Sequence, residues 1–452
     1  MNKDKDFLGT EPVGKLMFRL ALPTITAQLI NMLYNIIDRI YIGHIPGNGA
    51  LALTGVGVCM PLIMIISAFA ALVGGGGAPR ASIEMGKNDL NTAEHILGNC
   101  FFLQILISII LTVILLFGNR TFLLAFGASE NTIEYAVNYM NIYAVGTIFV
   151  QLTLGMNMFI TTQGFAKTGM LSVLIGAVMN IVLDPLFIFA FHLDVAGAAI
   201  ATALSNTVSV AFFIIQYIRL KDKTAISLNP RHFTFRFVRP VFSVGLASAL
   251  ATTLGNASNM VMVHLASGYG DIPVAAYGVV KRIDQFPLNV SMGLCQGFMP
   301  LVGYNFASKD YGRMRKVSIF SWKIALVMSA CFIACFAIFA PQILHLFIPE
   351  TQTSTLGASF LRIACLAVPL TSVNFLISYT LQAMGKGIQS AILTSCRQGL
   401  LNIPMLIVMD LVFGLYGMIW TQLVVEIIML PVSLGMYSHT FRGLNAKGKP
   451  CM

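Results

Sequence analysis

Two carboxylates stand within stretches otherwise built for lipid, and each comes with an amide at helical spacing. Asp38 ends Tyr34-Asn35-Ile36-Ile37-Asp38, with Asn35 three residues before it. Asp184 ends Asn180-Ile181-Val182-Leu183-Asp184, with Asn180 four residues before it. Residues three or four apart share one face of an α-helix. A charged side chain at the centre of a membrane helix costs about 2.5 to 3.5 kcal/mol even on the lenient insertion scale. Such groups therefore pair, or serve an ion or substrate. Two carboxylates with amide and hydroxyl oxygens suit a small hard cation or, without one, a proton shared between them. A site of this kind exchanges charge with water, and a charge crossing the membrane field is worth about 2.3 kcal/mol per 100 mV. Na⁺ and H⁺ are both open. A structural role is the competing reading: Asp38 pairing with Arg39, and Asp184 preceding the kink at Pro185. Neighbouring residues on a helix point in different directions, which makes the first pairing poor.

The elements that must position these groups follow from composition. The 452 residues are 57% hydrophobic and 10% charged, with mean hydropathy +0.80, against about 25% charge in soluble domains. A span needs about 20 apolar residues, and about twelve such stretches occur. They lie near 16–42, 51–73, 95–117, 135–160, 168–190, 196–218, 240–265, 273–303, 317–340, 357–382, 389–412 and 414–436. The first is too long for a signal-peptide core and is expected to stay as a span. The fold class is an all-α integral membrane protein. Because the first and fifth spans run outward and the sixth inward, a rise of about 1.5 Å per residue puts Asp38, Asn180, Asp184 and Thr202 at similar depth.

A shift of about 221 residues superposes the two halves. Pro79-Arg80-Ala81 to Asp89 falls on Pro300-Leu301-Val302 to Asp310, and Thr161-Thr162-Gln163-Gly164 on Gln382-Ala383-Met384-Gly385. Six spans per half, an even number, make the repeats parallel, an arrangement in which solutes pass between the halves. The expected units are a six-helix lobe at 1–218, a linker at 219–239, a second lobe at 240–440 and a tail at 441–452. With both termini in the cytoplasm, Lys3, Lys5, Arg80, Lys87, Lys221, Lys223, Arg231, Lys309, Arg313 and Lys449 fall inside and Arg120 outside, as the positive-inside rule requires. The net charge of +10 is thus spread over cytoplasmic turns and does not mark a nucleic-acid surface. At the 221-residue shift Asn259 takes the place of Asp38, and nothing acidic near Pro404-Met405 replaces Asp184. The acidic site is read as present once.

Other features carry less. Gly74–Gly77 lacks the Lys-Ser/Thr ending of a phosphate loop and reads as close packing or a hinge. Lys281, Arg282 and Asp284 in the eighth span read as neutralising one another or, alternatively, as lining the cavity. Arg362, Arg397 and Glu426 are intramembrane without an assignable partner. Cys59, Cys100, Cys295, Cys331, Cys335, Cys365 and Cys396 lie in spans and Cys451 in the tail, without disulfide or zinc spacing. With 24 Met and 32 Phe, the helices can line a deformable pocket for lipophilic ligands. No HExxH or GxSxG motif supports an enzyme.

The strings Tyr34-Asn35-Ile36-Ile37-Asp38-Arg39-Ile40-Tyr41-Ile42-Gly43, Gly74 to Arg80, Gly176 to Pro185, and Gly197-Ala198-Ala199-Ile200-Ala201-Thr202 resemble the multidrug and toxic compound extrusion (MATE) family. The resemblance is to the branch that includes the staphylococcal multidrug exporter, over nearly the whole chain. It implies antiport: H⁺ or Na⁺ enters while a lipophilic, often cationic, compound leaves between two lobes, with no cofactor. It implies that Asp38, Asn180, Asp184 and Thr202 form a first-lobe cation site, with Asn157 and Asn35 as weaker members. The family's branch with acidic residues in helices 7 and 10 is not matched, because neither Val241 to Leu265 nor Gly357 to Gln382 contains Asp or Glu. A plasma-membrane monomer in contact with lipid is expected. A flippase of lipid-linked precursors and a non-transporting membrane enzyme or receptor are the rival readings.

Overall fold

The computed structural model describes residues 7–47, 49–220, 233–347 and 351–447, and no β-strand occurs among them. In lipid every backbone N–H and C=O must be satisfied within the protein, and an α-helix does so within one segment. A short helix α1 (Phe7–Thr10) precedes α2 (Val13–Gly43), α3 (Gly49–Gly86), α4 (Leu90–Ala125), α5 (Ile133–Thr162), α6 (Ala166–Pro185) and α7 (Asp194–Arg219). The second half repeats the pattern with α8 (Val238–Ser267), α9 (Asp271–Ala307), α10 (Tyr311–Phe347), α11 (Thr351–Cys365), α12 (Val368–Ala383), α13 (Gly387–Ser395) and α14 (Asn402–Lys447). The expected linker at 219–239 falls largely outside the described residues, Lys221, Lys223 and Arg231 included, as do Lys3, Lys5, Lys449 and Cys451. The expected tail at 441–452 begins inside α14.

Among the described residues nine helices are long and apolar enough to cross a membrane, or ten when α11 and α12, bent by 43°, count as one span. The sequence expectation of about twelve differs for two reasons. The 58-residue stretch Gly387–Leu444 counts once, although it breaks at Gly414, where φ is 62° and ψ −149°. Helix α9, which carries Lys281, Arg282 and Asp284, is not among the nine.

The repeat is visible in the backbone. Asn88 and Lys309, one 221-residue step apart, both adopt left-handed φ, at 62° and 61°. Each is followed by an aspartate that caps the next helix: Asp89 accepts from the Thr92 N–H at 3.0 Å and Asp310 from the Arg313 N–H at 2.9 Å. Gly164 and Gly385 share the relation, with φ of 89° and 74°.

The halves meet through small residues. In α3 and α8 a Cβ on Gly76 would strike the Val241 carbonyl, and one on Gly245 the Leu72 carbonyl. In α2 and α9, Gly297 and Gly293 lie against the backbone of Ala21 and Ile25. The Gly74–Gly77 run is therefore a close-packing surface, the means by which membrane helices approach without a hydrophobic drive. Hydrogen bonds lock this contact. Thr24 Oγ1 donates to the Gly293 carbonyl at 2.7 Å, Gln28 Nε2 to Gln296 Oε1 at 3.0 Å, Ser82 Oγ to the Pro300 carbonyl at 2.9 Å and Gln382 Nε2 to the Gly75 carbonyl at 2.8 Å. These contacts use the N-terminal halves of α2 and α8 and the C-terminal halves of α3 and α9, so they lie at the end that carries the N-terminus.

Gly245→Ala is expected to lower the thermal midpoint of the detergent-solubilised protein, because overpacking costs about 1 to 3 kcal/mol. Gly57→Ala, where a Cβ meets nothing within 4 Å, is expected to leave it unchanged or raise it. Thermal unfolding of the two variants side by side checks this.

Candidate functional site

Three helices bring the candidate residues together. Asn180 and Asp184 occupy one face of α6 and are 1% and 0% exposed. The Asn180 amide donates to Asp184 Oδ1 at 3.3 Å and, across to α7, to Thr202 Oγ1 at 3.4 Å. Helix α2 packs along α6 and brings the Asp38 carboxyl within electrostatic reach of Asp184. Two bare carboxylates repel at such closeness, which favours a proton shared between them or a cation beside them. Three buried oxygens, Asp38 Oδ1, Asp184 Oδ2 and Asn180 Oδ1, have no protein partner. Each such atom costs about 1 to 3 kcal/mol if left unsatisfied, which fits a site that takes a cation or proton. No group of three or more His, Cys, Asp or Glu side chains suited to a metal occurs among the described residues. A cation here would therefore rely on mixed carboxylate, amide and hydroxyl oxygens.

The local backbone contributes. Pro185 brings no N–H to the end of α6, and the chain continues as a π-helical turn, Leu186–Ala190, before α7 begins. Arg39 donates to Met60 Sδ at 3.5 Å and lies within electrostatic reach of Asp38 without bonding either carboxyl.

The two weaker candidates sit elsewhere. Asn35 is exposed and gives its amide to the Asn31 carbonyl at 2.6 Å. Asn157 donates to the Gly169 carbonyl at 3.0 Å and accepts from Thr161 Oγ1 at 3.4 Å. Asn35 and Asn157 both line a cavity of about 360 Å³ whose wall also includes Gln28, Asn31, Met64, Thr202 and Asn206. Thr202 thus belongs both to the carboxyl cluster and to the cavity wall.

Sequence reasoning missed an aromatic surround. Tyr34 lies within electrostatic reach of both aspartates, and Tyr139 and Tyr143 of Asp38. The rings of Tyr139 and Tyr143 stack at 5.9 Å and 18°. Tyr34 was detectable as the residue one turn before Asp38. The α5 pair carried no signal beyond its spacing of four.

The second half places no acid at the positions of Asp38 and Asp184, where Asn259 and Leu406 stand, but it builds a polar cluster beside them. Asn402 Nδ2 donates to Gln422 Oε1 at 3.3 Å, Ser258 Oγ to Asn402 Oδ1 at 2.7 Å and Gln422 Nε2 to Glu426 Oε1 at 2.9 Å. Arg397 and Glu426, unassigned from sequence, form a buried ion pair at 2.8 Å, 6% and 0% exposed. A constant shift of 221 places Leu401 opposite Asn180. The π-helical turn Cys396–Leu400 adds a residue and puts Asn402 there instead. Arg362 spends its Nε on the Ala337 carbonyl at 3.2 Å, and Lys281 and Asp284 lie within electrostatic reach of each other and of Tyr277.

A single family model, MatE, matches the chain twice, over residues 23–186 and 241–408. The chain belongs to the MatE family. Two matches of one model express the same repeat as the paired turns at Asn88 and Lys309. The chain is 29% identical over 92% of its length to the multidrug export protein MepA of Staphylococcus haemolyticus, covering 91% of that protein. It is 28% identical, with the same coverage, to MepA of Staphylococcus aureus. Its fold matches a MATE crystal structure in complex with MaL6 at TM-score 0.91 and 23% identity, over 99% of this chain and 100% of that one. It also matches the outward-facing conformation of a multidrug resistance MATE family transporter at TM-score 0.91 and 23% identity, over 99% of each chain. As a MatE member the protein is a multi-pass membrane transporter and not an enzyme.

If the cluster holds an ion, Asn180→Ala and Thr202→Val are each expected to weaken it roughly 10- to 100-fold, the range seen when groups supporting an ion's ligands are removed. Asn35→Ala is expected to have no effect. The shift of thermal midpoint with Na⁺ or pH in the purified variants measures this.

Proposed function

We propose that the protein is a secondary active multidrug exporter that antiports lipophilic, often cationic, compounds against H⁺ or Na⁺. The observation that carries this reading is the Asp38–Asp184 contact beside a cavity with which it shares Thr202. The staphylococcal relatives, named as multidrug export proteins, support the substrate class. The 360 Å³ cavity is within the range of small-molecule sites, about 300 to 1,000 Å³, and its mixed Met, amide and hydroxyl wall suits amphipathic ligands.

The proposed cycle follows from linkage. An ion or proton that satisfies Asp38, Asp184 and Asn180 also fixes Thr202, and so alters the wall on which a drug rests. Ion and drug then influence each other's affinity by the same factor, as reciprocity requires. An ion arriving down its gradient displaces the drug on one side of the membrane, and its departure on the other side restores the drug site. The small-residue contact at the N-terminal end is the closed gate of this conformation, and the Asp38 end is the open one. With both termini in the cytoplasm of a plasma-membrane protein, as the Lys and Arg distribution favours, the open end faces outward. The moving bodies in this proposal are lobes at 1–218 and 240–440 joined by the 219–239 linker, in a monomer. The cargo is a small lipophilic or cationic molecule, with lipid around the protein and no nucleic acid involved.

Proteoliposomes given an inward H⁺ gradient or an inward Na⁺ gradient, one at a time, are expected to expel ethidium under one of the two. Asp38→Asn and Asp184→Asn are each expected to reduce that efflux at least tenfold. Unchanged gradient-driven efflux in both variants would refute the mechanism.

A further inference from the structure

The cluster in the second half has the layout of the candidate ion site but a different charge arrangement. Asn402 bonds Gln422 across two helical legs as Asn180 bonds Thr202, at 3.3 and 3.4 Å. The two bonds span 20 and 22 residues; the π turn precedes Asn402 in one half and follows Asn180 in the other, which accounts for one residue of that difference, the connection before the next helix holding the second. Asp194 and Gly414, which open the seventh helix and the second leg of α14, both have left-handed φ, at 49° and 62°. This fixes the register in which Thr202 corresponds to Gln422 and Asn206 to Glu426.

At that position the second half holds a carboxylate whose counter-charge is part of the chain. Glu426 Oε1 accepts from Arg397 Nη1 at 2.8 Å and from Gln422 Nε2 at 2.9 Å, and Oε2 accepts from Asn374 Nδ2 at 2.6 Å. The Arg397 guanidinium also lies 4.2 Å from the centre of the Phe375 ring, which holds it in place. In the first half Asn206 takes that position, and the carboxyls of the cluster are those of Asp38 and Asp184, with three unpartnered oxygens in the cluster and no cationic side chain bonded to them among the described residues, Arg39 lying within electrostatic reach of Asp38 only.

We infer that Arg397 is a tethered cation, a fixed stand-in for the mobile ion, that keeps the second-half cluster from exchanging ions and confines coupling to the first half. The inference rests on the ion-coupled reading above. Its physical basis is that a buried carboxylate must have a positive partner or be neutralised. Whether that partner is bonded to the chain or drawn from solution decides whether the site responds to an ion gradient. Tyr379 and Cys295 are the other titratable groups that face Arg397, from α12 and α9. Neither is a cation able to replace it.

The test uses the purified full-length protein carrying Asp38→Asn and Asp184→Asn, so that the first-half carboxylates are silent. Thermal midpoints are read across a NaCl series against choline chloride, and across a pH series. This background and its Arg397→Lys derivative are expected to show no specific response to Na⁺ or H⁺. Arg397→Met is expected to acquire one, stabilised by Na⁺ or by acid with the concentration dependence of roughly one further bound ion per protein. Arg397→Met with Glu426→Gln is expected to fold and lose that response. The inference is overturned if Arg397→Met folds without an ion response, if it fails to fold in every condition, or if the Met/Gln form responds as Arg397→Met does or does not fold. A response already present in the background and removed by Glu426→Gln would show the second half to be ion-active and defeat this inference alone. A response that survives Glu426→Gln would defeat the first-half reading instead.

Discussion

The protein is organised around the cost of placing a carboxylate in lipid. Asp184 is fully buried on α6; the Asn180 amide, itself bonded to the Thr202 hydroxyl, answers part of that cost, and the Asp38 carboxyl on the neighbouring helix adds to it. What the protein leaves unanswered, three oxygens, is where a cation or proton would be bound. In the proposed coupling that deficit is the functional element. A fully satisfied site would be stable and inert, because an ion shifts an equilibrium only by its differential affinity for the two states.

The Arg397–Glu426 pair shows the same cost met in the opposite way. There the chain supplies the cation, two amides complete the shell of the carboxylate, and an aromatic face holds the guanidinium. Breaking such a pair is expensive, about 3 to 5 kcal/mol, because the remaining charge stays buried. Two halves of one fold therefore carry one cluster whose carboxylate has its counter-charge in the chain, with Asn374 Oδ1 alone left unpartnered beside it, and one whose carboxyls have none bonded to them among the described residues. The repeat supplies the scaffold in duplicate, and substitution at a few positions makes the halves chemically unequal.

Closure between the halves relies on a different interaction. With lipid outside and protein inside about equally apolar, no hydrophobic drive holds α3 to α8 or α2 to α9. Backbone proximity at Gly76, Gly245, Gly293 and Gly297 supplies van der Waals contact, and a few side-chain bonds to carbonyls such as those of Gly75 and Gly293 supply direction. A contact of this kind is specific but modest, which suits the gate proposed for it.

Much of this was legible in sequence. Long apolar runs establish membrane helices, since lipid permits no other open-chain solution to backbone hydrogen bonding. The matched turns at Asp89 and Asp310 reveal the repeat; spacings of three and four mark Asp38, Asn180 and Asp184 as candidates, because local periodicity fixes which residues share a helix face, and the rise per residue adds Thr202 at the same depth. Tertiary structure alone decided which faces meet. Arg397 and Glu426 are 29 residues apart and find each other only because helical legs run antiparallel. Asn402 matches Asn180 only because a π-helical turn moves the register by one residue, which a constant offset cannot reveal. The tyrosines of α5 and the glycine crossings depend on helices far apart in the chain. Sequence determined what each helix presents; the packing of helix on helix determined which oxygens were left without a partner.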